Sequence, residues 1–278
     1  MIDGMASAVR PYQAVLRVRF QLLLQYRAAA IAGFVTQCWW GAIKIMVLAA
    51  FFRATVATPM TLSQAIDYTW LGQALLTLLP WSVDPEIARM VRSGDVAYER
   101  LRPLDTYTYW YARAVARRTA TPLLRAVPMV ITAGVLLPLL GMSEWGLSAP
   151  ASSASAALFL VSMGLVIALS SAIATLMEVL TVATLSERGV NTLIGPLIII
   201  LSGSLVPLPL YPEWLQPALR LQPLAGLLDT PLRIYTGHLA TMDALASLVR
   251  QAVWIVVLIG VGRMVMARVM ARLQAQGG

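Results

Sequence analysis

The chain is poor in the residue types that most site chemistry requires. One cysteine, Cys38, and one histidine, His238, stand among 278 residues. No disulfide framework and no Cys/His metal cluster can therefore be assembled within one chain. The single lysine, Lys44, sits in the stretch IKIM with no glycine loop before it, so a phosphate-binding GxxxxGK[ST] loop is absent. Gly-x-Ser-x-Gly and His-Glu-x-x-His are missing as well, which removes the usual signatures of an intramembrane or soluble hydrolase. Charge is scarce too: 12% of residues are charged and 59% are hydrophobic, where soluble domains carry about a quarter charged. With a mean hydropathy of +0.73, this composition reads as an integral membrane protein. The net charge of +8 is then tested first as a topology marker and only second as a nucleic-acid signal.

What the chain does have is apolar segments of membrane-spanning length. About 20 apolar residues cross a bilayer core as a helix, and six segments qualify, near 28–52, 62–83, 119–141, 156–185, 190–211 and 247–268. Asp67 and Gln73 dilute the second and Pro80 interrupts it. Ahead of them, residues 1–27 do not read as a secretory signal, because arginines at 10, 17, 19 and 27 break every apolar core. They read as an amphipathic interfacial helix: Arg10, Gln13, Arg17, Gln21 and Gln25 share one face, and Tyr12, Val15, Leu16, Leu22, Leu23 and Tyr26 the other. Arg19 falls on the apolar side and is expected to snorkel.

Arginine placement orients the segments. Positions 10, 17, 19, 27, 89, 92, 100, 102, 113, 117, 118, 188, 263, 268 and 272 fall on one side and only 53, 220, 233 and 250 on the other. The positive-inside rule puts both termini and the 84–118 connection in the cytoplasm. On the other face, residues 203–240 are apolar yet broken by prolines at 207, 209, 212, 217, 223 and 231. Proline removes a donor and breaks the helix ladder, so this stretch reads as short helices re-entering the outer leaflet. The predicted fold is all-α: an interfacial helix over 1–27, then one six-helix transmembrane domain over 28–278, with no internal repeat.

The segment 94–118, GDVAYERLRPLDTYTYWYARAVARR, is unusually polar for its setting. Asp105 is placed to cap a helix that starts immediately after it. Tyr107, Tyr109, Trp110 and Tyr111 form an aromatic cluster suited to the head-group level. Glu99, Arg100, Arg102 and Asp105 are mixed in sign, which suits a protein partner better than a lipid surface, and Leu101 and Leu104 add an apolar pair.

Gly94-Asp95-Val96 and Leu101-Arg102-Pro103-Leu104-Asp105, between the second and third spans, resemble the GDV…LRPLD segment of type-2 ABC (ABC-2) transporter permeases. The stretch LSGSLVPLPLYPEWLQPALRLQPLAGLLDTPLRIYTGHL is similar to that family's external region. The resemblance implies a six-span permease subunit of an exporter that pairs with a second permease, identical or paralogous. It further implies a separate ATPase that holds ATP and Mg, contacted through a coupling helix near Asp95–Tyr107. The residues assigned to that contact are Asp95, Glu99, Arg100, Leu101, Arg102, Pro103, Leu104 and Asp105, and the permease itself would hold no cofactor. The implied cargo is amphipathic: lipid-like, drug-like or a glycan. The implied location is a bacterial inner membrane.

Within the spans, ionisable and polar residues are functional candidates by default. Lys44, Gln73 and Glu178 are assigned to a translocation path, Lys44 at a dimer interface or lateral opening; Arg125 is expected to snorkel inward. The competing reading is a secondary transporter or channel subunit that works without an ATPase. Such proteins commonly carry an internal repeat and paired intramembrane charges.

Overall fold

The computed structural model describes residues 2–25, 27–54 and 58–275. Among these the fold is helical throughout, with no strand. The elements are α1 (Ile2–Leu23), α2 (Arg27–Ala54), α3 (Leu62–Ala74), α4 (Pro85–Ser93), α5 (Thr106–Ile131), α6 (Leu137–Leu139), α7 (Ser153–Thr184), α8 (Glu187–Leu201), α9 (Gln216–Leu221), α10 (Asp229–Tyr235) and α11 (Thr241–Ala275). Short 3-10 turns fill several of the connections.

Polar residues at the boundaries set where helices begin. Thr61 and Gln64 cap α3 reciprocally, each side chain bonding the other's backbone N–H. Asp84, Asp105, Ser152 and Ser186 accept first-turn N–H groups of α4, α5, α7 and α8. In an apolar medium these caps matter more, because water is not available to satisfy the ends.

Four helical stretches are long and apolar enough to cross a membrane: Ala30–Ala54, Thr106–Leu139, Ser153–Thr184 and Thr241–Arg272. They correspond to the first, third, fourth and sixth predicted segments. The second segment is α3 followed by a 3-10 turn, Leu76–Leu78, and ends before Pro80. The fifth is α8, whose 15 residues reach about 22 Å at 1.5 Å per residue; it ends at Leu201, not near 211. The third segment starts earlier than expected. Its helix runs from Thr106, where the Asp105 cap is expected to start one, but Tyr107 to Arg118 are the first turns of the span itself and not a separate helix in the connection. Pro122 and Pro128 lie within it, and a π turn, Thr132–Leu136, joins it to α6, the local irregularity that such ladder interruptions produce.

α11 packs along α7, α7 against α5, α5 against α1, and α2 against α3 and α5. One main core results, with Trp110, Leu169, Met177, Ile198 and Leu227 fully enclosed, and two small clusters around Leu219 and Ile234 stand beside it. The outward faces of the long helices stay apolar: Trp39, Val47, Leu160 and Val256 are all exposed. That is how a bundle solvated by lipid tails should look, since outward leucine and valine carry no penalty there.

The bundle has two distinct ends. One carries α1, α4 and the start of α5, tied by the Asp105 N–H donating to Tyr12 Oη (3.2 Å) and by Arg263 of α11 pairing with Asp105 (3.5 Å). The other carries residues 143–152 and the broken stretch 203–240, joined by the Ala151 N–H donating to the Tyr235 carbonyl (3.1 Å). As expected from its prolines, 203–240 forms only short helices.

Candidate coupling surface and translocation cleft

Asp84-Pro85 starts α4, with the Asp84 carboxylate accepting from the Glu86 N–H (2.9 Å) and proline at the first helical position. Gly94 ends it at φ +80°, the left-handed conformation that closes a helix and favours glycine. The chain then makes a 3-10 turn, Asp95–Leu101, and a bend before Asp105 caps α5. Asp95 accepts from the Ser93 hydroxyl (2.6 Å) and stays exposed.

Glu99 points inward. It is 4% exposed, accepts from Trp110 Nε1 (3.1 Å) and pairs with Arg102 (3.2 Å). The Arg102 guanidinium lies over the Tyr109 ring, 4.8 Å from its centroid, and donates to Tyr109 Oη (2.8 Å). This bracket holds the turn on the top of α5 and leaves a knuckle facing out: Tyr98 is 66% and Leu101 79% exposed, with Pro103 and the rest of Arg102 beside them. Leu104 is half-buried against the core, so it does not pair with Leu101 on the surface. The side chain of Arg100 lies outside the described residues. The aromatic cluster is also differently placed from the expectation. Tyr107, Tyr109 and Trp110 are buried against neighbouring helices, because α5 already runs through the bundle at these positions.

Behind the knuckle lies an ionic cluster whose members, along the sequence, are spread over α1, the 84–118 stretch and the start of α8. Arg19 of α1 does not snorkel: it donates to both oxygens of Glu86 (2.5 and 2.8 Å). Arg113, buried in α5, reaches the same carboxylate (3.0 Å) and Asp84 (3.8 Å), and Arg117 pairs with Asp84 (3.7 Å). Arg92 pairs with Glu187 (2.6 Å), linking α4 to α8. The Arg19 hydrogen bond, against partial desolvation, and the nearby Arg113 hold the Glu86 carboxyl down at about 2, and Glu86 in turn raises the Arg19 guanidinium. Glu178 of α7, 5% exposed, lies in the field of Arg113, Arg118, Arg117 and Asp84. Sequence reasoning misses Tyr98, Asp84 and Glu86 because it takes α4 as part of a loop; the pair Asp84-Pro85, a helix-start signal, is the mark that could have found this helix.

Lys44 and Gln73 do come together. They line one cleft of about 210 Å³, closed on one side by residues 203–207. Glu178 is not in it; it belongs to the ionic cluster at the other end. Lys44 Nζ donates to the Ser204 carbonyl (2.6 Å). The turn that presents this carbonyl is held by Asp229, which accepts from Tyr68 Oη (3.2 Å), pairs with Arg233 (3.3 Å) and donates its N–H to the Ser202 carbonyl (3.1 Å). Gly203 stands at φ +84°, and a Cβ there would collide with the Tyr68 hydroxyl. Arg125 lies with its guanidinium over Gly33 of α2.

No characterised protein and no solved structure shows significant similarity to the chain. The family model described as ABC-2 family transporter protein matches residues 40–277, a region that takes in the α4 helix, the knuckle, most of the ionic cluster and the Lys44 cleft. By that match the chain belongs to the ABC-2 transporter family, as a permease, the membrane subunit of such a transporter.

Proposed function

We propose that the chain is the six-span permease of an ATP-driven exporter, working with a separate ATPase that holds ATP and Mg, and as a pair with a second permease. Membership in the family implies an ATP-binding subunit. The observation that carries the coupling site is the exposed Tyr98–Leu101 knuckle with Arg102 and Pro103, set on the Glu99–Trp110 bracket. An apolar side chain as exposed as Leu101, on a rigid and charged surface, suits a protein partner. Asp95 and Asp105 flank it, while Glu99 and Leu104 support it from beneath.

The same geometry supports a route for motion. Displacement of the knuckle is carried by α4 and the start of α5 into Arg113 and Arg117, and through Glu86 and Glu187 into α1 and α8. A two-state arrangement of that ionic cluster, biased by closure of the ATPase, would alter the bundle at a distance. In the six-span reading, α3 with its 3-10 turn, buried among its neighbours, and α8, whose Leu193 and Leu197 face outward, are the two short spans, and α1 lies at the cytoplasmic surface of a bacterial inner membrane.

The test is co-purification with the cognate ATPase in nanodiscs. The pair Tyr98→Ala and Leu101→Asp should abolish the complex or its hydrolysis while the permease itself elutes unchanged. Gradient-driven flux from this chain alone, with indifference to both substitutions, would favour a secondary transporter instead.

A further inference from the structure

A permease needs a cargo, and, granted the permease reading, the cleft at the Gly203 turn narrows what that cargo is. Lys44 is the one lysine in the chain, and its ammonium has three donors, one of them given to the Ser204 carbonyl. Among the described residues no carboxylate pairs with it. By contrast Arg113 and Asp229, also inside the bundle, each pair with a charge of opposite sign. A cation within a membrane bundle without such compensation is costly and points to function.

Two other polar side chains of the cleft are committed: Tyr68 Oη donates to Asp229 and the Thr69 hydroxyl to the Ala65 carbonyl. Gln73 supplies the second polar contact beside Lys44. The remaining walls are apolar, with Trp40, Val47 and Leu205 exposed at the rim. A volume of about 210 Å³ is below the ~300–1,000 Å³ of sites that enclose a whole small molecule. It admits a head group and the start of a chain, the rest lying along the rim. We propose that this cleft binds an amphipath with an acidic head, carboxylate or phosphate, and one apolar chain, the head replacing the Ser204 carbonyl at Lys44. A charged acceptor at that ammonium makes the stronger, charge-assisted bond.

Binding can be measured on the full-length permease in nanodiscs of neutral lipid, without an ATPase, so that its failure is separable from failure of the coupling reading. The probe is quenching of Trp40 fluorescence by dibromostearate, with the signal assigned by difference from Trp40→Phe. Dodecyl phosphate should displace the probe and dodecyltrimethylammonium should not. Lys44→Gln should weaken the acid by about tenfold or more, the loss expected for one charge-assisted hydrogen bond, while Lys44→Arg, eluting as wild type, stays within about threefold. Equal quenching by acidic, neutral and cationic chains, or Lys44→Gln binding like wild type, overturns the proposal. Two sources share this chemistry. Stimulation of the coupled ATPase by dodecyl phosphate identifies cargo; binding without stimulation, competed by anionic lipid in the disc, identifies a bilayer lipid. Both outcomes uphold the acidic-head site.

Discussion

Glu86 is the residue on which three helices converge, since Arg19 and Arg113 both hold its carboxylate. Its ordinary value of 4.5 is lowered to about 2 in the fold. A carboxyl depressed in this way contributes stability that is complete above pH 4.5 and lost as pH falls from there toward 2. Thermal unfolding of the wild type and Glu86→Gln in detergent should therefore differ at pH 7, with the gap closing between pH 4.5 and 2. A gap independent of pH would mean that the carboxylate charge plays no part. Glu99 and Leu101, two residues apart, separate in the same kind of measurement. Glu99→Ala leaves the Trp110 N–H and Arg102 without their buried acceptor and should cost about 2–4 kcal/mol. Leu101, which faces outward, should tolerate Asp within about 0.5 kcal/mol. From sequence the two belong to one surface, because position along a 3-10 turn, and hence which side chain turns inward, is not carried by residue type.

At the scale of elements, the proposed lever is α4 together with the turn after it, with Gly94 as its joint. The turn needs φ +80° but has open space around its Cα, so only the backbone conformation demands glycine. Gly94→Ala should cost about 1–2 kcal/mol and lower coupled ATP hydrolysis, while Gly94→Asn, which tolerates the left-handed region better, should recover most of both. Equal losses for Ala and Asn would show that space, not conformation, is limiting. The start of α5 is legible at Asp105 because capping is a local event. Its consequence is not legible: a helix of 34 residues from Thr106 to Leu139 spans about 51 Å at 1.5 Å per residue, more than the ~30 Å apolar core. Its first turns are held by protein instead: Arg113 and Arg117 pair with Glu86 and Asp84 at α4, Tyr107 lies against α11, and Tyr111 donates to the Ala168 carbonyl of α7.

For the whole molecule, the two ends differ in chemistry: the arginine cluster around Glu86 and Asp84 at one, the proline-broken stretch 203–240 with the exposed Trp214 at the other. In a Cys38→Ala background, Ser143→Cys and Trp214→Cys should react with a membrane-impermeant maleimide on intact cells, and Ser93→Cys only after permeabilisation. The opposite labelling would invert the proposed orientation; labelling of all three from outside would end the six-span reading.

Composition and the run lengths of apolar residues were enough to determine a helical membrane protein, the places where several of its helices start, and the absence of a nucleotide loop, because hydropathy and capping depend on neighbours in the chain. The tertiary structure alone decided which polar residues meet. It turned Arg19 inward to Glu86, buried the tyrosines of α5, sent Glu178 to the ionic cluster, and brought Lys44 and Gln73 to one cleft beside Ser204. Lys44 and Ser204 lie 160 residues apart, and a contact of that kind is set by how helices cross, which no local pattern records.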